Sequence, residues 1–528
     1  LLLPFALIYK NYNDSGQLKV VGGAEQNGHD FGWQFGNWQL RGIDGIRDDF
    51  LYWYPDPEEF QTQWATYPCE AYPPAMETNA IFFGGTDPGR FVPTYMIYSA
   101  KVRPDIYLIT QNALADNTYM NVMRDLYGDQ IWIPTPRDTN LAFQKYVQDV
   151  QSGRIQAGAD LTTEGGRVQV QGVAGVMKIN ALLCKQLFDN NQQITETKTT
   201  SATRPVGAAQ VPSAPTKPNQ TRAFYMEESY PMPWMYPYLT PHGLILKLNN
   251  QPTPISSQLI ADDTAFWNWY TQRLSSDPRF IRDIVARKSF SKLRTAIASL
   301  YNARGFPLQA EAAYRQAIEL YDLSPEANFR LANLLASSAR FDEALDIIDI
   351  LQNKDPKNAQ LKPVRDQLIQ RRNLLKTRTQ IETKIKTNTS TLNDLLTLQQ
   401  VYIALGEKTK ANDLINTLIQ NQNISPNILT KIIERLAQQR NYTAAKNALD
   451  KLIQLQPKNL EAKANLAMIQ LLQKDEDAFW ITLQKMINQH GTSARQLLNS
   501  DKRFQHLKQH PRFREFIETP KSKFPITI

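Results

Sequence analysis

The chain has 528 residues, a formal net charge of +8 and an apolar content of 42%. This length predicts two or more domains, each large enough to bury a core of its own. The charge is modest and no compact Lys/Arg run occurs, so the sequence argues against a nucleic-acid partner.

The chain starts with a short apolar run at residues 1–8 and turns polar at Lys10. Eight apolar residues cannot cross a bilayer, which requires about 20. Two interpretations remain: a buried edge segment, or the end of a transmembrane helix whose earlier part is missing. We expect the second, over residues 1–13, because the run begins abruptly and without a Met.

Residues 14–78 are aromatic and rich in turn-forming residues, with Trp33, Trp38 and Trp53 beside Gly and Pro. Flat rings match the apolar faces of sugars, so these three tryptophans are weak candidates for carbohydrate stacking. The alternative is a loop-rich subdomain that packs on a sheet, and we favour this alternative.

Residues 79–116 predict a strand, a Gly-rich turn, a helical segment and a second strand. Apolar runs without alternation are typical of parallel strands joined by a crossover. We therefore expect an α/β domain with a Rossmann-like or flavodoxin-like sheet, whose strands place ligands at their carboxyl ends.

The Gly-rich turn is a candidate binding site formed by Gly84, Gly85, Asp87 and Arg90. Its glycine spacing resembles that of a P-loop, but Arg90 and Phe91 replace the phosphate-binding Lys and the magnesium-binding hydroxyl. Arg90 can instead pair with an anion, while Asp87 caps the next helix. A tight turn without a ligand is the equally weighted alternative.

Asn112 and Asp116 follow the second predicted strand. If the two strands are adjacent and parallel, Asp116 lies near Asp87, and two carboxylates there can hold a cation or a sugar hydroxyl. Asp also commonly caps helices after strands, which is the simpler interpretation of Asp116.

Residues 189–222 are rich in Thr, Gln, Ser, Ala and Pro and predict a flexible linker or long disordered loop. Two strand-like runs follow, at residues 223–229 and 243–248. The α/β domain therefore resumes after an insertion, and we place it at residues 14–290.

From residue 291 the pattern changes to tetratricopeptide (TPR) repeats with a period of 34 residues. Small and aromatic residues recur where two helices of a hairpin approach closely, for example Tyr301, Gly305 and Ala310. We predict repeats at 291–358, a degenerate repeat at 359–391, and further repeats with carboxyl-terminal helices at 392–528. An α-solenoid of this kind binds proteins or peptides.

Few residues carry recognisable chemistry. Cys69 and Cys184 are either one disulfide or two buried thiols. The acidic run at residues 475–477 fits a D-x-D pattern, but it lies in a repeat turn, where acidic residues cap helices. His506 and His510 have metal-compatible spacing without a third ligand, so we expect surface histidines and no metal site.

Three segments together resemble a known family: residues 79–120 (NAIFFGGTDPGR to DIYLITQNALADNTYM), residues 31–38 (FGWQFGNW) and residues 223–249. Over residues 1–290 the chain resembles the soluble carboxyl-terminal region of DUF2723 proteins, which TPR repeats often follow. The family's Gly-Asp-Asn-Asp turn corresponds to Gly85, Thr86 and Asp87, with departures at the other positions.

The resemblance implies a membrane glycosyltransferase of the GT-C type, similar to a protein O-mannosyltransferase, that uses a lipid-linked sugar donor. This fragment would then be its extracytoplasmic, periplasmic portion, without catalytic residues or a cofactor of its own, and its solenoid would recruit the acceptor or other proteins. The rival hypothesis is a non-enzymatic TPR scaffold. A third is a soluble carbohydrate-binding or hydrolytic domain that uses the three tryptophans and Asp87.

Overall fold

The computed structural model describes residues 31–85, 91–154, 161–164, 167–170, 173–193, 221–227 and 232–518. The protein is mostly helical and divides into two compact units, Leu1–Arg365 (unit 1) and Asp366–Ile528 (unit 2). The predicted linker at 189–222 and the predicted membrane-helix end at 1–13 lie largely or wholly outside the described residues.

Unit 1 contains a sheet with its flanking helices, followed by helical hairpins. Its helices are α1 Gly32–Trp53, α2 Pro57–Trp64, α3 Phe91–Thr94, α4 Asn117–Tyr127, α5 Pro136–Gln151, α6 Val173–Asn190, α7 Ser257–Ser276, α8 Pro278–Arg282, α9 Ile284–Ala303, α10 Pro307–Leu320, α11 Pro325–Ser337 and α12 Phe341–Lys354. Its strands are β1 Ile81–Gly84, β2 Tyr107–Thr110, β3 Leu161–Glu164, β4 Arg167–Val170, β5 Phe224–Met226, β6 Leu239–His242 and β7 Ile245–Leu248.

The main sheet has five strands in the order β2-β1-β5-β7-β6. Strand β1 pairs in parallel with β2 and β5, as the apolar runs predicted, and the buried residues of all three strands confirm why they do not alternate. Strands β7 and β6 are antiparallel additions. The Rossmann-like or flavodoxin-like prediction is therefore corrected to a small mixed sheet, in which only three strands are parallel.

The aromatic segment 31–53, predicted as turn-rich, forms helix α1 with a sharp reversal at Gly42. Gly42 has φ +52°, and a Cβ there would lie 2.3 Å from the Pro73 carbonyl oxygen. Only glycine fits this position. The reversal folds α1 back on itself, so that the Asn37 amide donates to the Gly45 carbonyl at 3.2 Å.

Helices α7 and α9 join the sheet to the first helical hairpin through a buried carboxylate. Asp263 of α7 is fully buried and accepts from Arg294 of α9 at 2.9 Å, from Tyr301 at 2.8 Å and from Tyr72 at 3.0 Å. Arg294 also lies over the Trp267 ring, 4.9 Å from its centroid. Burial, with Asp263 adding to it, raises the pKa of both tyrosines, which therefore remain hydrogen-bond donors.

Unit 2 consists of helical hairpins. Its helices are the later part of α13 Leu361–Lys386, followed by α14 Leu392–Ala404, α15 Lys408–Gln420, α16 Pro426–Gln438, α17 Tyr442–Leu455, α18 Leu460–Leu472, α19 Glu476–Ser500 and α20 Pro511–Ile517. Small residues lie where paired helices meet, as the repeat pattern predicted: Ala445 and Ala448 of α17 are fully buried against Leu429 and Leu436 of α16.

The carboxyl-terminal elements of unit 2 cover its last hairpin. Phe504, Phe513 and Phe516 pack into one apolar cluster with Trp480 of α19 and Ala467 of α18. The Arg503 guanidinium donates to the Glu461 carboxylate on α18 at 2.7 Å. The end of the repeat array is thus closed by its own chain.

Candidate functional sites

The strand-end site lies where the three parallel strands β2, β1 and β5 finish. Gly84 is aligned with Thr110, and Gly85 follows directly. The predicted adjacency of the two strands is confirmed, but Asp87 and Arg90 lie outside the described residues. Whether the Gly-rich turn holds an anion stays a prediction.

Two predicted site residues follow β2. The Asn112 backbone carbonyl accepts from the Asn180 amide at 2.9 Å, while the Asn112 Oδ1 is buried and makes no hydrogen bond within the described structure. Asp116 is exposed and caps α4, accepting from the backbone amides of Thr118 at 2.7 Å and Tyr119 at 3.1 Å. Asp116 has the simpler of its two expected roles, and ligand binding there remains a prediction.

Sequence reasoning missed three buried polar side chains at the same sheet edge. Gln111 after β2 and Asn180 of α6 are fully buried, and Glu227 after β5 is 1% exposed. The Glu227 amide donates to the Phe83 carbonyl at 3.0 Å, which holds this residue beside the end of β1. Glu227 had a recognisable signal, since a carboxylate directly after a buried strand lies at the ligand-binding edge of a parallel sheet. Asn180 had none, because it lies inside an apolar helix.

The three candidate stacking tryptophans have different surroundings. Trp38 is 1% exposed, and its ring packs against Trp53, Trp269 and Tyr270, so it offers no open face to a sugar. Its indole Nε1 donates to Asp49 at 2.7 Å. Trp53 is half-buried under Arg273, and Trp33 is exposed but donates to the same Asp49 at 3.1 Å. The favoured packing interpretation thus describes Trp38.

Neither cysteine forms a disulfide. Cys184 is buried and its pKa is raised by that burial, which keeps the thiol protonated and unreactive. In the carboxyl-terminal part, Asp475 caps α19 through the Ala478 amide at 3.2 Å. His506 and His510 are exposed, and the described residues contain no group of three metal-ligating side chains.

A row of polar side chains runs along the first helices of two repeats in unit 2. These positions recur every 34 residues, and we call the set the first-helix row: Asn393, Thr397 and Gln400 on α14, and Asn427, Lys431 and Glu434 on α16. All are exposed except Thr397, which is half-buried. Within the described part of the chain, none of the six makes a side-chain hydrogen bond or ion pair.

A groove of about 670 Å³ adjoins the row between α13 and α14. Thr397 belongs to both, and the other lining residues are mostly hydroxyl, amide and charged: Thr377, Thr379, Gln380, Ile381, Thr383, Lys384 and Asp394. The Lys384 ammonium donates to Asp394 at 2.8 Å. This ion pair and the helix cap at Thr391 lower the pKa of Asp394 to about 2, so the carboxylate stays charged.

The corresponding positions on α9 in unit 1 are closed. Ala296 and Ser299 stand where α16 has Lys431 and Glu434, and they are only 8% and 7% exposed. The Arg304 guanidinium, just after α9, donates to the carbonyls of Tyr236 at 2.9 Å, Leu239 at 3.2 Å and Thr253 at 2.8 Å. Unit 1 therefore uses the flank of its first repeat helix to hold its own chain.

Among the described residues, no helix combines the length and the apolarity that crossing a bilayer requires.

Comparison with protein families confirms the repeats. Two models of the tetratricopeptide repeat match the chain, one over residues 303–368 and one over residues 430–486. The chain therefore carries TPR repeats in both places. No curated protein matches the sequence.

Solved TPR structures are similar to part of the chain at low identity. YrrB, described as a TPR protein with an unusual peptide-binding site, is 14% identical over 44% of this chain and 97% of its own, with a TM-score of 0.18. A tetratricopeptide repeat protein from Parabacteroides merdae ATCC 43184 is 13% identical over 46% and 92%, with a TM-score of 0.19. The P58(IPK) TPR domain is 13% identical over 50% and 68%, with a TM-score of 0.16. With TM-scores this low, these likenesses carry no argument about function.

Neither matching family model describes a glycosyltransferase or a DUF2723 protein. The transferase resemblance stays a prediction, together with its lipid-linked donor, its membrane attachment and its extracytoplasmic location.

Proposed function

We propose that this chain is a protein-interaction protein that binds an extended peptide segment of a partner along the first-helix row of unit 2. The observation that carries the proposal is the contrast between equivalent positions: exposed polar side chains without intramolecular partners on α14 and α16, and closed positions on α9. This function corresponds to the scaffold hypothesis.

The chemistry of the row suits a peptide backbone. Asn393, Gln400 and Asn427 each carry an amide that both donates and accepts hydrogen bonds. An extended peptide presents its own unpaired amide and carbonyl groups in alternation, so amide side chains can satisfy both kinds. Lys431 and Glu434 add one charge of each sign, which favours one direction of the bound segment.

The groove beside α14 gives the peptide a second set of contacts. Its threonine hydroxyls lie next to the Lys384–Asp394 pair, whose salt bridge is 2.8 Å long. A side chain of the bound segment that enters this groove meets hydrogen-bonding groups rather than an apolar pocket. We therefore expect polar residues at that position of the peptide.

The test is selection of twelve-residue peptides from a random display library against the full chain, followed by affinity measurement with fluorescence anisotropy. The triple variant Gln400→Ala, Asn427→Ala, Lys431→Ala should bind the selected peptides at least tenfold more weakly, because each lost hydrogen bond contributes about 0.5–1.5 kcal/mol. The matched control is Gln422→Ala, Asn447→Ala, Lys474→Ala, which removes the same residue types from exposed positions off the row. Equal losses in both variants, or no selected peptide at all, would refute the proposal.

A further inference from the structure

One end of unit 1 exposes several large apolar side chains. Tyr52 is 83% exposed, Phe91 and Tyr95 are each 58%, Ile281 is 54%, Trp33 is 48% and Ile284 is 38%. We call these six residues the apolar face. They come from four separate helical segments: α1, α3 with the turn after it, α8 and the start of α9.

Contacts between their immediate neighbours show that these segments meet. A small cavity of about 160 Å³ is lined by Gly32, Val92 and Val285, which are the chain neighbours of Trp33, Phe91 and Ile284. Phe31 packs edge-on against Phe280, with ring centroids 5.3 Å apart, and so brings Ile281 to the start of α1.

Tyr52 and Tyr95 extend this patch. Trp33 Nε1 donates to Asp49 at 3.1 Å, so the returning half of α1 ends beside its beginning, and Tyr52 lies one turn beyond Asp49. Tyr95 follows Phe91 by one helical turn.

This grouping is unusual for a surface in water. Single exposed apolar residues are normal and need no explanation, as with Leu308, Ile350 and Ile481, which lie on three different helices. Six of them around one apolar cavity form a contiguous patch, and such patches mark interaction sites.

The residue types indicate which partner fits. Trp and Tyr are enriched where protein meets the headgroup level of a bilayer, because one end of the ring is apolar and the other is polar. Arg279 and Arg282, both exposed, flank Ile281, while the Asp283 carboxylate is buried and caps α9. The 30 residues that precede Phe31 begin with the apolar run of residues 1–8, so the chain enters the structure at this same end.

We propose that the apolar face docks on the interfacial region of a phospholipid bilayer. Its aliphatic side chains enter the acyl boundary and its aromatic rings lie at headgroup level. The acidic first turn of α2, with Glu58 and Glu59, follows Tyr52 closely along the chain. Apolar insertion therefore dominates over attraction to anionic lipid, and binding extends to zwitterionic membranes.

The experiment is co-sedimentation of the full chain with phosphatidylcholine vesicles, with and without phosphatidylglycerol. The wild-type chain should bind both, with less than a fivefold difference. The variant Tyr52→Ser, Phe91→Ser, Ile281→Ser should lose at least tenfold in partitioning. The matched control Leu308→Ser, Ile350→Ser, Ile481→Ser removes the same apolar character elsewhere and should lose less than twofold.

Two other occupants are separated by the same set of proteins. If light scattering shows a wild-type dimer that the Tyr52, Phe91, Ile281 variant converts to monomer, the face binds a second copy and the proposal is overturned. If replacing Leu2, Leu3 and Phe5 by Ser abolishes vesicle binding while the face variant binds normally, the amino-terminal run is the membrane-binding element instead. Absence of wild-type binding to either vesicle also overturns it.

Discussion

Helices α9 and α16 are the first helices of two TPR hairpins, yet one is enclosed and the other is open. In α9 the serines, threonine and arginine are buried: Ser289, Ser291, Arg294, Thr295 and Ser299. In α16 the buried residues are apolar, namely Leu429, Ile432, Ile433 and Leu436, and the polar ones are exposed. The same repeat thus serves two purposes, an internal support in unit 1 and a free surface in unit 2.

The enclosed helix satisfies its polar side chains within the protein. Ser291 donates to the Ala317 carbonyl at 2.7 Å, and Thr295 and Ser299 each donate to a backbone carbonyl one turn earlier at 2.8 Å. Arg294 has the Asp263 carboxylate. Buried polar groups are tolerable only when paired, so removing one partner should cost more in α9 than removing an exposed group in α16.

The largest effect is expected for Asp263→Ala. This change leaves the buried Arg294 without its counter-ion and two tyrosine hydroxyls without an acceptor. Breaking a buried ion pair by removing one partner costs about 3–5 kcal/mol. Urea unfolding followed by tryptophan fluorescence measures this loss in unit 1, which holds eight of the nine tryptophans.

The control for Asp263 is Glu326→Ala on α11, which removes an exposed ion pair with Arg330 of 2.8 Å. Exposed pairs contribute about 0–1 kcal/mol, so its unfolding curve should barely move. A comparable shift in both variants would mean that the buried pair does not hold α9.

The next effect is expected in unit 2, for Leu436→Ala. Leu436 is 1% exposed in the cluster between α16 and α17, and such truncations cost about 2–5 kcal/mol through lost burial and a residual cavity. Hydrogen exchange followed by mass spectrometry should show faster exchange in α16 and α17, with α9 unchanged. Equal loosening of α9 would contradict the separation into two units.

The third effect depends on pH and belongs to the sheet of unit 1. His242 is buried between the Tyr225 ring, 4.9 Å away, and the loop at Pro74, and burial, with nearby Lys247 adding to it, lowers the pKa of His242 to about 3. In the unfolded chain the pKa is about 6.5. The stabilisation from keeping this ring neutral is therefore complete above pH 6.5 and is lost progressively as the pH falls toward 3.

Between pH 6 and 4 the free energy of unfolding should fall by up to about 1.4 kcal/mol per pH unit from this group. The variant His242→Gln should be less stable at pH 7 but should show a shallower decline on acidification. Urea titrations at pH 7, 5.5 and 4.5 give the slope, and parallel slopes for both proteins would exclude His242 as its source.

The repeats could be predicted because their signal is local and periodic. Each hairpin needs small residues at fixed spacing, and Gly305 and Gly406 both have positive φ, of +80° and +79°, in the turns that the pattern placed there. The apolar strand runs were equally visible. Their pairing was not, since β7 and β6 join the sheet as antiparallel strands through contacts that no short window of sequence contains.

Tertiary packing also explains the error at residues 31–53. Aromatic residues beside glycines predict turns when read alone, but Trp38 and Phe50 gain enough burial against α7 to stabilise a helix. At the strand-end site, Gly84, Gly85 and Asn112 were placed from the strand pattern. Gln111, Asn180 and Glu227 were missed because burial, and not residue type, distinguishes them.

The smallest effect tests the boundary between support and surface on α14, where Gln399 and Gln400 are adjacent. Gln399 is 1% exposed and exchanges two amide hydrogen bonds with Gln439 at the end of α16, of 2.9 and 3.1 Å. Gln399→Ala should cost about 1 kcal/mol, and a double-mutant cycle with Gln439→Ala should give a coupling of about 0.5–1.5 kcal/mol. Gln400→Ala, on the exposed row, should leave stability unchanged and weaken only the binding of selected peptides. If Gln400→Ala destabilises unit 2 while peptide affinity is retained, the row is part of the fold and the contrast between α9 and α16 fails.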